Sequence, residues 1–381
     1  MRRRHFRAGA ALPAVLTAAA LTLTAACGEA PERKATAPAA GSPATATSAE
    51  DLGGLEALAT AAKAEGTLNV IALPPDWTNY DEMIKTFSSK YGIKVDSAQP
   101  DASSQDEINA AQQLKGTDRA PDVFDLGPAV ATANVDLFAP YKVQTWDDVP
   151  EELKDPEGRF VSDYGGLMSI GYDAGSVAAP TSVKDLLKPE YKGKVALNGD
   201  PTQAGAAFAG VVMAALGNGG SGDDVKPGVD FFKQLKKAGN FLPVDPTPAT
   251  IASGQTPVVI DWDYSNAAQT ESLAGKRDWK VVVPQEALHG SYYVQAINKE
   301  APHPAAARLW QEFLYSDEGQ NIWLEGYGRP VREAALVEAG TIDKAAYAKL
   351  PEADGEPVSL TEEQSTKAKE YLSTNWAKAI S

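Results

Sequence analysis

Cysteine is nearly missing: Cys27 is the single one in 381 residues, so no intrachain disulfide can form and stability has to come from buried surface. Histidine occurs only three times. His289 and His303 stand in separate loops with no metal-type partner close in sequence, and both are expected at the solvated surface. Basic residues are outnumbered, with 35 Lys and Arg against 51 Asp and Glu. That balance argues against nucleic acid or an anionic lipid surface as partner and is compatible with a cationic ligand. No His-Glu-x-x-His helix, Gly-x-Ser-x-Gly elbow or phosphate-binding Gly-x-x-x-x-Gly-Lys loop occurs. The pattern gives no support for an enzyme, and no cofactor is expected. Long apolar runs are missing too. The longest, residues 8–23, is too short and too rich in alanine for a membrane span.

That run follows Met1-Arg2-Arg3-Arg4-His5-Phe6-Arg7 and leads to Thr24-Ala25-Ala26-Cys27-Gly28. A basic start, a short apolar core and small residues before a cleavage point mark a secretory signal over residues 1–26. The cysteine directly after two alanines resembles the lipobox of bacterial lipoproteins, in which Cys27 would be lipidated and become the first mature residue. Thr24 stands where such boxes usually carry Leu. Removing the signal takes four arginines with it, which deepens the acidic excess. Residues 27–50 are mostly Ala, Pro, Thr, Ser and Gly, unable to bury enough surface to offset ordering entropy, and are expected to form a flexible tether.

Beyond the tether, strand-length apolar runs alternate with amphipathic helical stretches. Residues 68–73, 93–95 and 121–126 have strand character, and helices are expected before, between and after them. The order strand, helix, strand calls for a parallel sheet. The alternation restarts with strands at 194–197 and 257–261 and helices at 204–216 and 228–237. About 330 folded residues exceed one comfortable core, so two domains are expected. Residues 164–172 and 291–297 have the extended character of segments passing between them. The expected division is a discontinuous first lobe, 51–168 plus 296–345, a second lobe, 169–295, and a polar C-terminal helical tail, 346–381, on the outside.

The phrases "GTLNVIALPPDWTNYDEMIKTFSSKYGIKV", "PDVFDLG", "PTSVKDLLKPEYKGKVALNGDP", "GQTPVVIDWDYSNA" and "AARLWQEFLYSDEGQNIWLEGYGRPV" occur in an order that resembles the solute-binding proteins of ABC importers. The likeness is to the two-domain type II group that includes polyamine, ferric-iron and thiamine receptors. It implies an α/β fold of two Rossmann-like lobes joined by two extended crossovers, with a solute bound between them and hinge closure on binding. It also implies a monomeric, exported, lipid-anchored receptor on the outer face of the cell membrane, delivering its solute to a membrane permease driven by an ATPase.

Open parallel sheets hold ligands beyond the carboxyl ends of their strands. The residues in those places are 74–80, 125–127, 200–203 and 261–264. From them and from the crossovers come the candidates for ligand binding: Asp76, Trp77, Tyr80, Asp125, Trp262, Asp263, Tyr264, Tyr292 and Tyr293. Aromatic faces attract cations and carboxylates form charge-assisted hydrogen bonds with ammonium groups, a combination that suits a polyamine such as spermidine or putrescine. Ferric iron, thiamine, and phosphonates or sugar phosphates held at helix N-termini are the alternatives. Strand alternation would place Trp262 and Tyr264 on one face and Asp261 and Asp263 on the other, with the aromatic pair expected to face ligand. Asp76, Asp125 and Asp263 have a second reading as helix caps. Tyr164 and Met168 on the first crossover are lesser candidates, and Tyr327 and Arg329 are expected to brace the hinge.

Overall fold

The computed structural model describes residues 41–381 apart from Asp76, Asp101 and Glu356. The signal segment, Cys27 and Asp76 therefore lie outside the described residues.

The first lobe opens with α1 (Leu55–Glu65), β1 (Thr67–Ile71), α2 (Tyr80–Tyr91), β2 (Lys94–Ala98), α3 (Ser104–Gln113), β3 (Val123–Leu126), α4 (Pro128–Ala133) and the short β4 (Phe138–Ala139). β5 (Phe160–Asp173) then leads into the second lobe. That lobe holds β6 (Val195–Leu197), α5 (Gly205–Gly217), α6 (Lys226–Ala238), α7 (Pro248–Ser253), β7 (Val258–Trp262), α8 (Asp263–Ser272) and β8 (Trp279–Val282). β9 (Gly290–Asn298) returns to the first lobe, followed by α9 (Pro304–Leu314), α10 (Asp317–Glu325), β10 (Arg329–Pro330), α11 (Glu333–Ala339), α12 (Lys344–Tyr347) and the terminal α13 (Glu362–Ile380).

β1 and β2 are parallel, as are β6 and β7, whereas β3, β9 and β5 pair antiparallel. The sheets are thus mixed where a purely parallel one was expected. The physical reason is that β9 enters the first lobe from the second and so runs against the strands already there. β5 is shared: Phe160 to Leu167 pair with β9, and Met168 to Asp173 pair with β7 and β8. Its pairing shifts register between Ser162 and Gly165, which bends the strand where it leaves the first lobe. Because β9 is paired from Gly290 onward, the return crossing lies at residues 283–289, earlier than the expected boundary at 295.

Each lobe has its own core. In the first, Trp310 packs edge-on against Phe87 at 5.0 Å, among Leu68, Met83 and Phe313. In the second, Ile260 of β7 lies with Met213, Phe231 and Phe232. Two expectations are corrected. The last part of the tether is docked: Ala49 is fully buried in the first core, and the buried Arg308 donates from Nε to the Ala46 carbonyl oxygen at 2.9 Å. Among the described residues no carboxylate forms a salt bridge with this guanidinium, so it needs such backbone acceptors, and they fix the chain that supplies them. The tail does not merely lie outside either. α13 sends Leu372, Trp376 and Ala379 into the second core, with Trp376 edge-on to Phe232 at 5.2 Å. Between α12 and α13 the chain crosses the lobes a third time, where the Val358 amide donates to the Leu288 carbonyl oxygen and the Gly290 amide to that of Val358.

Candidate functional site

β1 and β7 point their carboxyl ends toward each other from opposite lobes, and the residues after them meet. The loop after β1 is held in an uncommon conformation: Ala72, Thr78 and Asn79 have φ of 58°, 39° and 70°. For a β-branched threonine that region is costly, and such strain persists only where surrounding structure enforces it. Gly326 supplies part of that enforcement, since a Cβ there would fall 2.6 Å from the Thr78 carbonyl carbon. The loop carries Trp77, whose ring lies 5.8 Å from Tyr264 and edge-on to Tyr293 at 5.9 Å. Trp77 Nε1 donates to Tyr164 Oη at 2.6 Å.

Between these parts is a cavity of about 260 Å³. Trp77, Thr78 and Gly326 line it from the first lobe, and Asn198, Asp261, Tyr264, Ser265, Asn266 and Gln269 from the second, with the segment from Pro246 to Ile251 along one wall. Among the described residues, Asp261 is the one charged side chain in that lining. Its Oδ2 accepts from Asn198 Nδ2 at 2.8 Å and its Oδ1 from the Trp262 amide at 2.8 Å. Burial raises its pKa to about 6, with the hydrogen bonds pulling the other way. Two hydroxyls of the same lining, Thr78 Oγ1 and Tyr264 Oη, are buried without a hydrogen-bond partner among the described residues. Polar atoms so placed are costly unless something meets them.

Of the candidates from sequence, Trp77 and Tyr264 line the cavity and Asp76 is outside the described residues. Trp262 stands behind Tyr264, stacked on it at 6.1 Å and 12°, and is not in the lining. Asp263 is turned away from the cavity: fully buried, it accepts from Arg329 Nε at 2.8 Å. The expected pairing of alternate residues is therefore corrected, because β7 ends at Trp262 and Asp263 begins α8. Helical rotation replaces strand alternation from there, so Asp261 and Tyr264 share the cavity while Trp262 and Asp263 do not.

Tyr80 and Asp125 lie one layer behind Trp77. Tyr80 Oη donates to Asp125 Oδ2 at 2.7 Å, and the Asp125 amide donates to Glu107 Oε2 at 3.0 Å. Gln295 Nε2 donates to Asp163 Oδ2 at 2.8 Å and to Tyr80 Oη at 3.2 Å. Burial pushes Asp125 up to about 7 and holds Glu107 and Asp163 well above the usual carboxylate range. Asp125 caps no helix, since Gly127 is the N-cap of α4. Tyr293 stacks on Tyr164 at 5.5 Å, joining this aromatic layer. Tyr292, one residue earlier on β9, faces the other way beside Gly165. His289 is buried rather than solvated, its Nδ1 at 2.7 Å from the Val358 carbonyl oxygen, and burial lowers its pKa to about 4. His303 is mostly buried, with Nδ1 2.9 Å from Asp122 Oδ2.

Asp261, Thr78, Asn198, Ser265, Asn266 and Gln269 were not among the candidates from sequence, Asp261 because alternation set it on the face opposite Trp262 and Tyr264. Asn198 directly follows β6, which ends at Leu197 as expected, so the same strand-end rule finds it once the window opens at 198 rather than at 200. Thr78 stood inside the window 74–80 but has neither a charge nor an aromatic ring to single it out, and Gln269 carries no comparable signal. Among the described residues no group of three or more His, Cys, Asp or Glu is arranged to hold a metal ion, and no helix is long and apolar enough to cross a membrane.

Comparison with known proteins agrees with this architecture. A solved extracellular solute-binding protein from Bordetella parapertussis superposes with a TM-score of 0.65 at 19% identity, covering 84% of this chain and all of that one. Iron-bound HitA from Pseudomonas aeruginosa gives 0.60 at 19% identity, covering 82% and 99%. The spermidine/putrescine ABC transporter substrate-binding protein PotD from Streptococcus pneumoniae gives 0.60 at 18%, covering 83% and 99%. These likenesses carry the two-lobed α/β fold. The family model for bacterial extracellular solute-binding proteins matches residues 127–354. Spanning more than half the sequence and both sides of the cavity, that match makes the chain a member of the bacterial extracellular solute-binding protein family, a non-enzymatic binding component of an ABC transport system.

Proposed function

We propose that the solute is a small organic cation bearing an amine, with short polyamines such as putrescine and spermidine the best representatives. The observation that carries this reading is the lining of the interlobe cavity, in which, among the described residues, Asp261 is the one charged group and Trp77 and Tyr264 are the aromatic walls. An ammonium beside Asp261 gains a charge-assisted hydrogen bond, and its methylenes and charge gain contact with ring faces, each face contributing about 0.5–2 kcal/mol. Thr78 Oγ1 and Tyr264 Oη supply further acceptors for N–H groups. Sugar phosphates and phosphonates fit poorly, since no Lys, Arg or His among the described residues belongs to that lining. Ferric iron fits poorly because, among the described residues, Asp261 and Tyr264 are the only anionic-type donors there.

The captured solute would be handed to a membrane permease with its ATPase by a monomeric receptor held at the outer membrane face through lipid on Cys27. A thermal-shift panel of putrescine, spermidine, thiamine, ferric iron and fructose 6-phosphate tests the ligand class. The expected result is a rise in melting temperature with an amine. A rise with iron or the phosphate and none with any amine would overturn the proposal.

A further inference from the structure

Where β5 passes between the lobes it carries Gly165 and Gly166, and neither has room for a side chain. A Cβ on Gly166 would lie 2.6 Å from the Tyr264 ring and 3.0 Å from Asp263 Oδ1, and one on Gly165 would lie 2.6 Å from the Ser291 carbonyl oxygen. The first turn of α8 is therefore pressed directly against the pivot. Asp263 is fully buried at that contact. Its Oδ1 accepts from the Leu167 amide at 2.9 Å and the Tyr264 amide at 3.0 Å, and its Oδ2 accepts from Arg329 Nε at 2.8 Å. Arg329 Nη2 donates in turn to the Pro351 carbonyl oxygen at 2.6 Å.

Each of these partners sits on a different segment. Leu167 is on the crossover and Tyr264 opens α8 of the second lobe. Arg329 is on β10, which returns from α10 of the first lobe, and Pro351 starts the third crossing toward α13. One buried carboxylate and one guanidinium thus tie α8 of the second lobe to the crossover, to β10, which pairs with the crossover at Gly165 and Tyr164, and to the start of the third crossing. A buried ion pair adds little net stability, because desolvation offsets most of its Coulomb attraction, whereas its directional bonds fix geometry strongly.

We propose that Asp263 and Arg329 are a positioning pair for solute capture: together they set the lobe angle of the closed state and hold Tyr264 in the cavity wall. This goes beyond the identity of the solute and does not depend on it, since neither residue lines the cavity. The double variant Asp263→Asn/Arg329→Gln removes both charges, leaves no unpaired buried ion, and keeps an acceptor for the two amides. Small-angle X-ray scattering of the solute-free full chain, together with the Trp77 emission isolated by subtracting a Trp77→Phe counterpart, reads the lobe angle without any ligand. The expected result is a larger radius of gyration and a red-shifted Trp77 emission as Trp77 parts from Tyr264, with cooperative unfolding retained. A folded double variant with unchanged radius and emission would overturn the proposal. If the double variant does not fold, Arg329→Lys keeps the buried countercharge and drops the bond to Pro351. The same two readouts then decide, a shift of the same sign supporting the proposal and no shift rejecting it.

Discussion

Asp261 combines three features that rarely coincide: it stands next to last on a buried strand, it lines a cavity, and no cation among the described residues pairs with it. Replacing it with Asn keeps the shape and the acceptor for Asn198 while removing the charge an ammonium would meet. Putrescine affinity should then fall by at least tenfold, the loss of a charge-assisted bond being about 1.5–3 kcal/mol, as measured by calorimetric titration. Trp77→Ala should cost about as much through the lost ring face. The buried acids behind it make a different prediction. Asp125 keeps its proton up to about pH 7 in the folded protein, whereas the unfolded chain releases it near its ordinary value of 3.8. The folded state therefore binds more protons between those limits, and stability falls as pH rises through that window. Asp125→Asn should flatten this decline, and melting temperatures from pH 4 to pH 8 check it. Trp77 and Tyr264 were legible in sequence because they follow strands, and Asp261 stood in the same strand-end window without being chosen. Their facing was not, since the change from strand to helix after Trp262 turns each side chain by about 100° where alternation assumes 180°.

At the scale of elements, periodicity gave β1, β3, β7 and most of the large helices, because their apolar residues recur at the spacing of one buried face. It gave no destination for that face. Ala368, Leu372, Trp376 and Ala379 form a stripe along α13 that requires a partner surface, and only the folded chain identifies it as α6 and the second core. Trp376→Ala should destabilise the protein by about 3–5 kcal/mol, the usual range for emptying a large aromatic from a core. Chemical denaturation would show a lower midpoint, while solute affinity measured well below the transition stays unchanged. The docked residues 44–50 escaped notice for the opposite reason. Their composition is that of a tether, and what orders them is a buried arginine some 260 positions later.

For the molecule as a whole, two lobes were expected from length and from the repeated strand and helix alternation, and two lobes are present with separate cores. A third crossing was not foreseen, because residues 350–361 have neither helical nor strand periodicity. It ties the tail of the first lobe to α13 on the second, so opening must be accommodated by three connections rather than two. Contacts across the cleft, such as Trp77 with Tyr264 and Lys349 with Glu271 at 2.7 Å, put the lobes in a closed arrangement. In the proposed function, this closure buries an organic cation against Asp261. The most direct test of that claim is the affinity for putrescine, titrated calorimetrically from pH 8 to pH 5. Because Asp261 titrates at about 6 when no cation is present, affinity should be level above that value and fall as pH drops through it, approaching tenfold per unit below. Affinity that stays level across the whole range, or no binding at pH 8, would contradict the claim.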